Sequence, residues 1–358
     1  MRITSIIILS LINLFFNGCN MQTETDYTEF LSVKKIHFDE YNIPAKLGMP
    51  VDMVVHNDFV IVLDAKTDRF FHVFATDRFN YLGNAIRQGR GPNEEIYIGS
   101  YFKNYGNDKI LYQSVDAVKI AKIELSNEGL DLEVVDQYEL PESSRMDTDF
   151  FKINDYLFSS MSTSPRPASK DYFVICTQTG ETFEWGELIP LTEKNVNSNL
   201  LPMIKQKFTT VNLEDKLIAS VFHMLPMLRI YCFETEKLLT ELQMTDASKN
   251  EKILLKDPNL KRGDELINYY YRIKSTNDFI YALYAGISVS EYYKEGEMPQ
   301  YTDFSDEIHI WKWDGTPVMK LELDRPIFSF EVTHDNKKIV ATSVDDVDKL
   351  FEAEIPWD

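Results

Sequence analysis

Two arginines flank a glycine-rich turn in AIRQGRGPNEEIYI, residues 85–98. In an acidic chain, Arg87 and Arg90 concentrate positive charge at one place, and a guanidinium pair can hold a carboxylate or sulfate bidentately. Pairing with Glu94, Glu95 or another acidic residue, to fix the loop, competes with that use. The run is no phosphate cradle, because it lies between strands and a phosphate loop needs a helix N-terminus. His223, in VFHMLPM, can act as a base or ligand near neutral pH, or serve as a satisfied structural histidine. Tyr292, Tyr293 and Tyr301 share a segment with Glu291, Glu295 and Glu297. Exposed tyrosines suit sugar stacking or a protein hot spot, and they equally suit packing a loop onto its own support.

Other chemistry finds little support. His37, His56, His72, His309 and His334 are scattered without metal-ligand spacing, so neither a metal nor a cofactor is implied. No G-x-S-x-G, S-x-x-K or Cys/His nucleophile arrangement occurs, although distant loops can assemble a site without one. The adjacent pairs Glu94-Glu95 and Asp345-Asp346 would face opposite ways on a strand, which makes them poor paired acids. Cys176 and Cys232 end two similar runs, VIC and IYC. Equivalent positions on packed sheets are ~10 Å apart, beyond the ~7 Å limit for a disulfide, so two buried thiols are expected.

These residues belong to a chain of 358 with 37 basic and 57 acidic side chains, a net charge of −20. Such a field argues against nucleic acid or an anionic lipid surface as partner. Its 23 Phe, 19 Tyr and 4 Trp supply a core and exclude disorder.

The elements that must position the candidates repeat along the chain. A polar turn pair recurs at Asn57-Asp58, Asn107-Asp108, Asn154-Asp155, Glu214-Asp215, Asn277-Asp278 and Asp335-Asn336. Each lies between an alternating segment and a β-branched or aromatic run such as FVIVLD or FIYALY. A third run follows, then in most units a second turn and a fourth strand. Four antiparallel strands repeated every ~40 to 60 residues predict an all-β, six-bladed propeller, with blades near 51–84, 101–140, 149–188, 206–244, 269–324 and 327–356. The last unit has only three strands of its own, so VKKIHF, residues 33–38, is expected to complete it and close the ring. The long connections at 84–100, 162–171, 188–206, 244–268 and 285–306 all join strands two to three or four to the next blade. They gather on one rim, where Arg87, Arg90, Glu94, His223 and the three tyrosines would stand.

Ahead of the repeat, residues 3–16 form an uncharged apolar run behind Arg2, too short to span a membrane and suited to a signal peptide. The following Gly18-Cys19 resembles a bacterial lipoprotein box, which implies a signal over 1–18, a lipidated Cys19 and a tether to residue 32. Asn20 departs from the inner-membrane retention signal, so that resemblance implies the outer membrane of a Gram-negative cell, facing the periplasm or the surface. Gly89, Gly91, Pro92 and Glu94, with WDGTP at Trp313–Pro317, resemble the six-bladed, TolB-like propeller lipoproteins of gut Bacteroidetes. The resemblance implies a fold and an envelope location, with an activity assigned to few members. Two functions then stand: a recognition module for an envelope protein or glycan, or a hydrolase or lyase acting on a glycan or lactone in the channel mouth with His223 and a channel-facing carboxylate as acid and base. Nothing in the chain insists on chemistry, and the first is preferred.

Overall fold

The computed structural model describes residues 29–357 except 46, 57, 92, 107, 127–128, 163–169, 189–199, 258 and 293–304. The signal segment, Cys19, most of the tether, Pro92, Tyr293 and Tyr301 lie outside the described residues.

Two short strands, β1 (Val33–Ile36) and β2 (Asp39–Asn42), precede six meanders. Blade one holds β3 (Pro50–His56), β4 (Phe59–Asp64), β5 (Arg69–Ala75), β6 (Tyr81–Gln88) and the brief β7 (Glu94–Glu95), which runs parallel to β6. Blade two holds β8 (Phe102–Tyr105), β9 (Lys109–Gln113), β10 (Ala117–Ser126) and β11 (Gly129–Glu139). Blade three holds β12 (Asp147–Ile153), β13 (Tyr156–Ser162), β14 (Lys170–Cys176) and β15 (Thr182–Leu188). Blade four holds β16 (Lys207–Asn212), β17 (Leu217–Phe222), β18 (Met227–Cys232) and β19 (Lys237–Gln243). Blade five holds β20 (Ile267–Ser275), β21 (Phe279–Ser288), β22 (Ser305–Lys312) and β23 (Pro317–Ile327), and blade six holds β24 (Ser329–Val332), β25 (Lys338–Thr342) and β26 (Lys349–Glu354).

The fold is a six-bladed β-propeller of mainly four-stranded antiparallel sheets. The recurrent turn pairs 154–155, 214–215, 277–278 and 335–336 fall between the first two strands of their blades, as do Asp58 and Asp108, while Asn57 and Asn107 lie outside the described residues. Asn154 and Asn336 adopt φ of 50° and 59° there, a left-handed conformation that asparagine tolerates better than most residues. The core consists of apolar layers between neighbouring sheets, as expected where sheets pack face to face. Phe71 and Tyr112 meet between blades one and two, Ile120 and Phe150 between two and three, and Phe158 and Tyr231 between three and four. The innermost β3 and β24 are buried throughout, whereas the outer β19 alternates exposed and half-buried residues.

Ring closure departs from the sequence expectation. Residues 33–38 do not complete blade six. Instead β1 pairs in parallel with β23 on the outside of blade five, Val33 opposite Lys320 and Ile36 opposite Leu323. It is β2 that pairs antiparallel with β26. The apolar side chains that suggested a closing strand, Ile36 and Phe38, fill the layer between blades five and six, with the Phe38 and Phe351 rings 6.4 Å apart. The more polar DEYN is held by Glu40, which accepts from Arg325 at 2.8 Å and Lys349 at 2.7 Å, and by Tyr41, packed edge-on against Phe79.

Strand direction assigns the faces. First strands run from the long-connection face to the short-turn face, so fourth strands such as β23 run back. Parallel to β23, β1 also runs toward the long connections, and residues 29–32 therefore enter from the short-turn face.

The long connections carry helices that β periodicity did not reveal: α1 (Leu201–Lys205), α2 (Ser248–Lys256) and α3 (Val289–Tyr292). Ile204, Phe222, Leu225, Ile253 and Leu254 bury one another beneath them. Buried Asn250 pins α2 by donating to the carbonyls of Met224 at 2.9 Å and Ile267 at 2.7 Å and accepting from the Ile267 amide at 2.8 Å. Cys176 and Cys232 are free, in accord with the distance argument, but half-buried rather than buried. The hydroxyls of Thr179 and Thr235 hold their thiols below the ordinary cysteine range.

Candidate functional site: the loop-rich rim and the channel

The glycine-rich turn is built around one carboxylate. Glu94 Oε2 accepts the Gly91 amide at 2.7 Å, and the Gly89 amide reaches the Glu95 carbonyl at 2.9 Å. A Cβ on Gly89 would lie 2.0 Å from Glu94 Oε2, and one on Gly91 2.9 Å from it, so both glycines leave room for the carboxylate. Glu95 is committed as well, to Lys119 Nζ at 2.7 Å. The internal pairing weighed for Arg87 and Arg90 is therefore not what these glutamates do. Both arginines are exposed, and neither forms an ion pair among the described residues.

The turn continues into a linked stretch of rim. Buried Gln113, at the end of β9, accepts the Gly99 amide on its backbone carbonyl at 2.9 Å. Its side-chain amide donates to the Asp147 carbonyl at 2.8 Å. One residue thus ties together the connections into blades two and three. Around it Ile96 is 50%, Tyr97 47%, Val115 44% and Met146 67% exposed, beside the exposed Arg145.

His223 does not stand open on this rim. It is buried, its ring against Phe208 and Tyr271, and Nδ1 donates to the Tyr270 carbonyl at 2.7 Å. Its backbone also joins Gln206 and Tyr269, so it fastens blade four to blade five. Burial lowers its pKa to about 4, which keeps the imidazole neutral. Tyr292 ends α3, remote in sequence from the arginine turn, and nothing brings these two candidate groups together among the described residues.

The channel holds charges that motif reading passed over. A cavity of about 120 Å3 is lined from all six innermost strands, with Asp52, Lys103, Asp149, Arg272, Lys274 and Glu331 around it. Lys274 Nζ lies 3.0 Å from Asp52 Oδ1 and 3.5 Å from Glu331 Oε2, and it donates to the Met53 carbonyl at 2.7 Å. Lys103, on the opposite innermost strand, pairs with Asp149 and donates to the Thr209 carbonyl at 2.8 Å. Asp52 and Asp149 in turn accept the amides of Phe102 and Thr209 from the next blades, at 3.2 and 3.0 Å. Arg272 spans from blade five to the Val51 carbonyl at 2.7 Å, its guanidinium 4.8 Å from the Tyr101 ring. Burial opposes ionisation of Asp52, but Lys274 and Arg272 outweigh it and lower the pKa. Burial also dominates at Glu331, whose carboxyl rises to about 7 despite Lys274. For some of these the signal was available: Asp52 and Glu331 are charged residues inside largely apolar runs, PVDMVVH and FSFEVT.

A second buried network joins blades three and four. Lys207 Nζ donates to the carbonyls of Ser160, at 2.9 Å, and Asp171, and lies 4.6 Å from the Tyr172 ring centre. Burial lowers this lysine to about 8. Arg229 and the Tyr231 hydroxyl both reach the Asp171 carboxylate.

Among the described residues no three His, Cys, Asp or Glu side chains gather as a metal site, and no helix is long and apolar enough to cross a membrane. No curated protein matches the sequence. Among solved structures, a member of the DUF4221 family from Bacteroides vulgatus aligns with a TM-score of 0.59 at 10% identity, over 92% of this chain and 98% of that one. A Bacteroides fragilis protein described as exported aligns with a TM-score of 0.56 at 10% identity, over 91% of this chain and 99% of that one. At such identity the likeness speaks for the fold alone. The sequence itself matches the TolB-like 6-blade propeller-like family over residues 26–335, which include all six innermost strands and the Gly89–Glu94 turn. This chain belongs to the TolB-like six-bladed propeller family.

Proposed function

We propose that the chain is a lipid-anchored envelope module that binds a protein or glycan of the cell envelope on its loop-rich face. The observation carrying this reading is the exposed pair Arg87 and Arg90, unneutralised among the described residues because Glu94 and Glu95 are engaged elsewhere, beside exposed Ile96, Tyr97 and Met146. Arginine, tyrosine and methionine are over-represented at the centres of protein interfaces. The entry of residues 29–32 from the short-turn face supports the orientation, since a tether from Cys19 would leave the loop-rich face turned away from the membrane. The apolar run behind Arg2 and the Gly18-Cys19 box support the envelope address.

The hydrolase or lyase reading draws less support. A channel cavity of about 120 Å3 is small beside the ~300 to 1,000 Å3 of ordinary ligand pockets, and its charges are engaged with one another. Of the two groups that reading needs, the channel does offer a carboxylate of raised pKa, Glu331, but it faces Lys274 at 3.5 Å, and His223 is buried and bonded.

Radiolabelled palmitate fed to expressing cells should mark the wild type and not Cys19→Ala. In a Cys176→Ser/Cys232→Ser background, Tyr97→Cys on the anchored protein should react with a membrane-impermeant maleimide faster than Lys337→Cys on the short-turn face. Equal palmitate labelling of Cys19→Ala, or the reverse order of reactivity, would contradict the anchored orientation.

A further inference from the structure

We infer that the rim joining blades one to three takes an acidic protein segment that carries apolar side chains, an assignment that rests on the loop-face reading and names its partner. Arg87, Arg90 and Arg145 are exposed and without an ion pair among the described residues, in a chain of net charge −20. Exposed Glu142 shares the connection of Arg145, and exposed Asp68 and Asp116 lie in the β4–β5 and β9–β10 connections; they temper the field without an ion pair to these arginines among the described residues. A carboxylate-bearing partner meets the guanidiniums bidentately and is steered to them.

The apolar part of the surface decides between classes of acid. Ile96, Val115 and Met146 present side chains that a uronic-acid chain would leave uncovered, whereas leucine or aromatic residues between glutamates would bury them. Tyr97 serves either partner. The platform is also preformed: Glu94 braces the turn and Gln113 fixes the two neighbouring connections, so little ordering cost attends binding.

The test presents a random-sequence dodecapeptide array to the full chain in detergent, with polygalacturonate as a competing probe. Bound peptides should be enriched in Asp and Glu interspersed with Leu, Phe or Tyr. The chain carrying Arg87→Ala and Arg90→Ala should bind the best of them about tenfold more weakly, and the chain carrying Ile96→Ser and Met146→Ser should also lose affinity. Circular dichroism identical to wild type establishes that these surface variants are folded. The inference is overturned if no peptide binds, if bound peptides show no acidic enrichment, if the arginine variant binds unchanged, or if polygalacturonate binds while peptides do not. Peptide failure with photo-cross-links still forming from Tyr97 in intact envelopes removes only the acidic-segment assignment. Cross-links from Lys337 in place of Tyr97 remove the loop-face reading itself.

Discussion

Glu331 is the residue at which the channel's chemistry is most exposed to measurement. Its pKa is raised from an ordinary 4.5 to about 7, so the folded state holds this proton more tightly than the unfolded chain does. Its contribution therefore favours folding at low pH and is lost as pH rises from 4.5 to about 7. His223 acts in the opposite sense: with a pKa lowered from 6.5 to about 4, its contribution is intact above 6.5 and lost as pH falls through 4. Glu331→Gln retains His223, so the difference between variant and wild-type urea midpoints isolates the carboxylate. That difference should grow in the variant's favour from pH 4.5 to 7 and then level, and a flat difference would refute the buried ionisation. Lys274→Ala should cost ~3 to 5 kcal/mol at neutral pH, because it takes the paired cation from both Glu331 and Asp52 and leaves Asp52 only Arg272. A change in denaturation midpoint worth under ~1 kcal/mol would show that the channel pairs are dispensable. Motif reading overlooked these residues because it sought exposed groups at catalytic spacings, whereas a channel collects single charges from strands some 50 residues apart.

At the scale of elements, the Gly89–Glu94 turn and the closing strand make separable demands. Gly89→Ala places a methyl where Glu94 Oε2 sits, so it should destabilise by about 1 to 2 kcal/mol alone and far less in a Glu94→Ala background. Additive effects in that double-mutant cycle would mean that the carboxylate does not shape the turn. Removing residues 1–32 should leave the elution volume appropriate to a compact chain, while removing 1–42 strips β2 from β26, exposes a long edge and should yield aggregates by light scattering. Unaggregated protein from the longer deletion would contradict closure by β2. The six blades were legible because turn chemistry is local: Asn154 and Asn336 hold the left-handed conformations their positions require. Closure was misread because Ile36 and Phe38 look like strand residues of blade six when they fill the layer beside it. The helices went unseen because α2 has a short apolar face, Ile253 and Leu254, whose burial depends on distant Phe222 and Leu225.

For the whole molecule, topology sets orientation. The chain enters at the short-turn face, winds through six blades, and sends its long connections to the other side. That asymmetry was legible in the lengths of the connections. The accessibility of Arg87 and Arg90 was not, since only three-dimensional contacts reveal that Glu94 caps a backbone amide and Glu95 binds Lys119. We propose that the working surface is the loop-rich rim and that the channel charges serve to hold the blades together. A photo-reactive amino acid placed in turn at Tyr97, Met146 and Lys337, with ultraviolet cross-linking in intact envelopes, tests it most directly. Discrete adducts from Tyr97 and Met146, lost when Arg87→Ala and Arg90→Ala are added, are the predicted result. Adducts from Lys337 alone would contradict it.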